Sequence, residues 1–267
     1  MRMSIGFWVI GTFCKEAFCG IPSAVFFLDD LSDEKLLQSI ATEVNTPETI
    51  FLKDLNNGIF DSVCFTPTCK GLFFGNALFG AAKVINEKTD LRQFSITCGI
   101  RVFAIEILDD TRIKVRFSLV DLEKAPIPAN LNPALGGELV VSLAECKGEL
   151  IVEVRSPSRL QDLQPNTGML CGMEYNSFAI TADTHYETDS DYDFIAKVIA
   201  PKLGVHREII TPIACTKLSS YWKQRVDKSE FIAMGASGEK VYICQDSDFT
   251  YVSGNCVISA TGEMYLD

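Results

Sequence analysis

From Gly75 to Ile85 the chain reads GNALFGAAKVI, a loop running into a helix that is apolar nearly all round, with small residues at 77, 80, 81 and 82. A surface helix keeps one polar face, so a helix of this kind belongs at the centre of a domain with other elements wrapped about it. A second helix, over 211–225, has a similarly buried-looking entrance from a loop about half the chain later. Two buried helices that far apart imply two cores.

The segments around these helices come in a repeated order. In the first half, 6–10 and 24–28 read as strands. Leu36, Leu37, Ile40, Ala41 and Val44 then place one apolar stripe on a helix over 33–44, with Ser32 the expected N-cap. Strands at 49–52 and 61–66 flank the turn Asn56-Asn57-Gly58, a hairpin signal. Beyond the first central helix, strands are expected near 93–97, 100–108 and 112–120. Pro126, Pro128, Pro133, Gly136 and Gly137 then break every periodic pattern. This places an N-terminal domain over 1–122, a linker over 123–137 and a C-terminal domain over 138–267, whose last strand can pair back with the first domain. The second half offers strands at 138–144 and 150–154, a short helix at 158–163 and strands at 177–181 and 194–199. The last of these leads through a loop to the second central helix. Strand, short helix, strand, loop and central helix thus occur twice although the sequences barely match, which predicts two similar α+β domains. A ligand site is expected in the cleft between them, with both helix N-termini aimed inward.

Composition narrows the chemistry. The 35 acidic and 24 basic side chains of the 267 residues leave a net charge of −11, which argues against a broad grip on nucleic acid or anionic lipid. No run approaches the roughly 18 apolar residues of a membrane span, and the first eleven residues read as a strand instead of a signal peptide. A cytoplasmic location is the expectation. There are ten cysteines but only two histidines, His185 and His206, so a mechanism needing several imidazoles is excluded. The cysteines form no CxxC pair, so no metal site is expected, and most read as small buried hydrophobes. Gly75-Asn76-Ala77 lacks the lysine and repeated glycines of a phosphate loop, and no cofactor is implied. Pro47 ends the first helix and puts Glu48 at the turn into a strand, where its carboxylate either faces a cleft or sits exposed in a loop.

The run IATEVNTPETIF, followed by FTPTCKGLFFGNALFGAA, resembles the PhzF-like phenazine-biosynthesis family, relatives of the diaminopimelate epimerases. YDFIAKVIAPKLGVHREIITPIACTKLSSYW and SGNCVISATGEM continue the likeness in the right order over nearly the whole chain. The resemblance implies two pseudosymmetric domains, each a curved, mostly antiparallel sheet around a central helix. It puts the family's catalytic glutamate on Glu48, a partly buried carboxylate with a raised pKa that gives and takes a proton, with Asn45 holding the substrate or orienting Glu48. Homodimers are implied as well.

The chain departs from the family pattern at both helix entrances. Gly75-Asn76-Ala77-Leu78 stands where the family has Gly-His-Ala-Thr, and an amide cannot shuttle a proton. Phe74 occupies the thiol position of the epimerase relatives, while nearby Cys69 reads as a packed or surface thiol. At the second entrance Glu208 keeps a carboxylate, assigned a second catalytic role, and Thr211 is retained. Pro212 and Ile213 replace a Gly-Ser pair, removing an N–H and a hydroxyl, so anion binding there should weaken. His206 reads as a solvated loop residue and His185 as surface. The expectation is a cofactor-independent isomerase or epimerase that moves a proton on a small carboxylic acid through Glu48 and Glu208. Asn45, Gly75, Asn76, Ala77 and Thr211 would bind the substrate. The alternative is a diverged member that has lost catalysis and binds a small molecule or a protein partner.

Overall fold

The computed structural model describes residues 4–70, 75–137, 140–184, 190–203 and 205–266, without the side chains of 205–208; Phe74 and His185 therefore lie outside the described residues. Two units emerge, Met1–Phe117 with Ser253–Asp267, and Ser118–Val252.

The first unit runs β1 (Ser4–Thr12), β2 (Ile21–Phe27), α1 (Glu34–Val44), β3 (Glu48–Asp54), β4 (Ile59–Phe65), α2 (Asn76–Thr89), β5 (Gln93–Cys98), β6 (Arg101–Ile107) and β7 (Arg112–Ser118). These strands are neighbours in numerical order, and the long terminal strand, Phe249–Tyr265, lies beside β7 and also pairs antiparallel with β1. The sheet therefore closes on itself. Inside it sits α2, whose residues from Asn76 to Ala82 are all buried and which touches β1, β2, β3 and β6. The absence of a polar face on this helix is explained by its neighbours, which are sheet on several sides. Helix α1 covers the outside, where Leu37, Ile40 and Ala41 pack on Ala24, Phe26, Phe51 and Phe65. Rings Phe26 and Phe51 stack there at 5.2 Å.

Most pairs are antiparallel, but β2–β3 and β4–β5 are parallel, because α1 and α2 cross over between them. The second unit repeats this alternation. It runs β8 (Glu123–Lys124), α3 (Leu131–Ala134), β9 (Val140–Cys146), β10 (Glu149–Val154), α4 (Pro157–Asp162), α5 (Thr167–Cys171), β11 (Ser177–Asp183), β12 (Phe194–Ala200), β13 (Val205–Ile209), α6 (Pro212–Lys223), β14 (Glu230–Gly235) and β15 (Lys240–Gln245). The terminal strand is β16. Here β10–β11 and β12–β14 are the parallel pairs, each again spanning helix. Helix α6 is the second central helix, buried at nearly every position from Pro212 to Trp222. The architecture is α+β and pseudosymmetric.

Three local expectations need correction. The cap of α1 is Asp33, whose carboxylate accepts the Leu36 N–H at 3.1 Å, while Ser32 is held by Asp30. The helix therefore begins at Glu34. The segment before α6 is not a loop: β13 pairs antiparallel with β12, Val198 opposite Ile209. Finally, the Pro- and Gly-rich stretch over 123–137 holds β8 and α3, and Leu131, Ala134 and Leu135 from it are fully buried in the second core. Pro133 sits in the first turn of a short helix, where its missing N–H has no partner to lose.

Candidate active site at the first helix entrance

Glu48 is the first residue of β3 and is completely buried. Thr46 fixes the turn that delivers it, its hydroxyl donating to the Glu48 carbonyl at 2.9 Å. The carboxylate meets the N-terminus of α2: Oε1 accepts the Gly75 N–H at 3.2 Å and Oε2 the Ala77 N–H at 2.9 Å. An unpaired buried carboxylate is prohibitively costly. Two charge-assisted bonds to free helix amides, with the positive end of the helix dipole behind them, offset that cost. The sequence suggested partial burial; burial is total, with the helix entrance at Gly75 and Ala77 bonded directly to the first residue of β3. Gly75 makes this approach possible with φ +98°, a conformation that side-chain-bearing residues rarely adopt.

Between the two amides lies Asn76. Its side chain is fully buried, and neither its oxygen nor its nitrogen has a hydrogen-bond partner. The Ser23 hydroxyl, on the β2 residue paired with Glu48, is buried and unpartnered too. Each such orphan costs about 1–3 kcal/mol, and native proteins keep them where a ligand or water completes the bonding. Gly80, one turn into α2, brings helix and strand together: a Cβ there would lie 2.5 Å from Ser23 Oγ. Ser23 thus lies beside Glu48 on the sheet, and Asn76 lies between the two residues whose amides hold the Glu48 carboxylate.

Asn45 ends α1 in the left-handed conformation, exposed, with its own N–H bonded to the Ala41 carbonyl. Cys69 belongs to the turn before the helix entrance, its thiol 3.3 Å from Thr66 Oγ1. In the second unit Thr211 is the N-cap of α6, accepting the Ala214 N–H at 3.1 Å, and Pro212 takes the first helical position, where a missing N–H costs nothing. The side chains of Glu208 and His206 lie outside the described residues; their backbone belongs to β13.

A polar cluster in the second unit has no counterpart among the expected site residues. There Glu149 on β10 opposes Ser177 on β11, the reverse of Ser23 opposite Glu48 on β2 and β3. Ser177 Oγ donates to Glu149 Oε2 at 2.6 Å, and Lys217 of α6 sets its Nζ 3.0 Å from Oε1, an ion pair with both partners nearly buried. The register that unites these residues depends on strand pairing, which periodicity alone does not reveal. A cavity of about 370 Å³ also opens in this unit by the C-terminal end of α6, lined in part by Asp183, Asp193, Trp222 and Asp227. None of the expected site residues borders it. Among the described residues no group of three His, Cys, Asp or Glu side chains could hold a metal ion, and no helix is long and apolar enough to cross a membrane.

Comparison with known proteins finds relatives along nearly the whole chain. The family model described as phenazine biosynthesis-like protein matches residues 10–262. An uncharacterised isomerase of Halalkalibacterium halodurans is 27% identical over 99% of this chain and 100% of its own length. A human phenazine biosynthesis-like domain-containing protein is 26% identical over 88% of this chain and 89% of its own. Among solved structures, a PhzF-family phenazine biosynthesis protein of Enterococcus faecalis superposes with a TM-score of 0.87 at 21% identity, covering 99% of this chain and 100% of that one. A predicted epimerase of Pseudomonas aeruginosa gives 0.73 at 14% identity, with 99% of each chain covered.

Proposed function

Since the chain belongs to the phenazine biosynthesis-like family, we propose that it is a cofactor-independent isomerase or epimerase in which Glu48 moves a proton on a small carboxylic acid. The observation that carries this reading is the Glu48 carboxylate, buried at a helix entrance and held by the Gly75 and Ala77 N–H groups. Each carboxylate oxygen has a second lone pair, so a carboxylate fixed in this way can still take a proton from carbon and return it. Relatives named as isomerases support the general class. In this reading Asn76 supplies hydrogen bonds to the substrate, Thr211 and Asn45 contribute binding, and Glu208 is the second acid–base group. The working form is a cytoplasmic homodimer.

The orphaned Asn76 amide favours one other reading. It can bind but cannot carry a proton, so a chain lacking an imidazole at this position would also suit a ligand-binding protein without turnover. Incubation with a panel of small carboxylic acids in deuterated water separates the two. Enzyme-dependent uptake of deuterium at carbon, abolished by Glu48→Gln in a folded protein, is the expected result. Saturable binding without any exchange would establish the second reading instead.

A further inference from the structure

Ten thiols leave the question of whether any of them is more than packing. Two meet at the end of one hairpin. Cys14 and Cys19 lie in the connection between β1 and β2, whose ladder ends with Thr12 opposite Ile21. Continued in the same register, Phe13 falls opposite Gly20 and Cys14 opposite Cys19. The side chains keep that proximity. Cys14 Sγ lies 2.9 Å from the Cys19 carbonyl oxygen and 3.3 Å from that of Glu16, and Cys19 Sγ lies 2.7 Å from the same Glu16 oxygen. Two sulfurs that share one acceptor at these distances are at most about 6 Å apart, and rotation about χ1 at the two residues brings them toward the roughly 2 Å of an S–S bond.

We propose that Cys14 and Cys19 are a redox-active dithiol that closes to a disulfide by exchange with a small-molecule disulfide. The Cys19 thiolate attacks one sulfur of the solute; the solute S–S bond breaks, one solute thiolate leaves, and Cys19 carries a mixed disulfide. Cys14, deprotonated in its turn, attacks the Cys19 sulfur, the second solute thiolate leaves, and the protein S–S bond forms. Two electrons pass from the two protein thiols to the solute disulfide, and their two protons end on the two solute thiols. A dithiol reductant reverses the exchange.

The surroundings of the two thiols suit these two roles. Cys19 is exposed and meets solutes, whereas Cys14 is nearly buried. Cys14 is also held in place: its N–H donates to the Asn255 carbonyl at 3.2 Å, and the preceding Phe13 packs its ring 4.9 Å from that of Phe79 in the first turn of α2. Its sulfur lies over bare backbone, since a Cβ on Gly20 would stand 2.7 Å from it and one on Gly11 3.1 Å. No side chain from either position separates it from Cys19. All residues from Lys15 to Cys19 are exposed, so the segment that must adjust displaces no packed core. The second attack is intramolecular across a short loop, and its effective concentration exceeds that of a returning solute thiol.

Trypsin cleaves after Lys15, between the two cysteines, so a bridge appears as a linked pair of peptides. The test treats the intact, reduced protein with glutathione disulfide at pH 8, blocks the remaining thiols with N-ethylmaleimide and maps the tryptic peptides by mass spectrometry. The Cys14–Cys19 linked pair is expected to exceed the glutathione adduct of Cys19 by on the order of tenfold, while the exposed Cys171 and Cys244 carry glutathione alone. Dithiothreitol should return the linked pair to free thiols, and in Cys14→Ser the adduct should accumulate on Cys19. In the parent chain, Cys19 remaining reduced, Cys19 held as the glutathione adduct, or Cys14 bridged to any other cysteine would each overturn the proposal. These three outcomes are read on the parent chain, so they decide the matter even where the variant does not fold.

Discussion

Glu48 Oε2 accepts the backbone N–H of Ala77 at 2.9 Å, joining the first residue of β3 to the first turn of the central helix. With the Gly75 bond on the other oxygen, one side chain both caps α2 and occupies the proposed reaction centre. Stability and chemistry are therefore coupled at this residue.

Glu48→Gln tests that coupling. The new NH₂ group must face one of two backbone N–H donors, leaving a buried donor pair unmatched. The expected loss is about 1–3 kcal/mol in urea unfolding, together with loss of carbon–deuterium exchange. A variant as stable as the parent would contradict the helix-capping role.

Asn76→Ala should behave in the opposite way. Its amide atoms have no partner to lose, so removing them should leave thermal stability unchanged or raised. Ligand-induced stabilisation by the small acids should fall in the same variant. A large drop in melting temperature without ligand would show that the amide is bonded after all.

Gly80 and Ser23 should be energetically linked. Gly80→Ala gains helix propensity of about 1 kcal/mol but drives its Cβ to 2.5 Å from Ser23 Oγ, so the single change should destabilise. Ser23→Ala removes the obstructing, unpartnered hydroxyl, and the next contacts, Ile10 and Val25 at 3.5 Å, are ordinary. The double variant should match or exceed the parent in denaturant midpoint. Simple additivity of the two single effects would refute the contact.

Lys217→Met breaks the Glu149 ion pair inside the second unit and strands a nearly buried carboxylate, with an expected cost of about 3–5 kcal/mol. Adding Glu149→Gln should recover much of that loss, since Ser177 can still donate to the amide oxygen. Calorimetry of the two variants checks the order.

Alkylation of Cys98 by iodoacetamide should titrate with a midpoint near pH 7, below the ordinary 9.0. The neighbouring Cys64 thiol leads in favouring the ionised form, with Ser62 and Arg101 assisting; burial and the Glu48 charge oppose it. Because the folded-state value is depressed, the unfolded chain holds more protons between pH 7 and 9. The contribution of Cys98 to stability is thus complete above 9 and is lost as pH falls through 7. A midpoint at 9 in peptide-resolved alkylation would contradict this.

The sequence by itself determined the first central helix, because GNALFGAAKVI is apolar nearly all round, and the repeated order of segments leading to a second helix entrance at Thr211 implied a repeated domain. The family resemblance put Glu48 and the helix entrance at Gly75 in one site. Only the tertiary structure decided which other residues meet there. Ser23 beside Glu48 and Glu149 beside Ser177 are products of strand register and of parallel pairing between strands separated by a helix. Hydrophobic alternation fixes which face of a strand is buried, but it is indifferent to which neighbouring strand lies alongside and at what offset, and those two choices set every cross-strand contact.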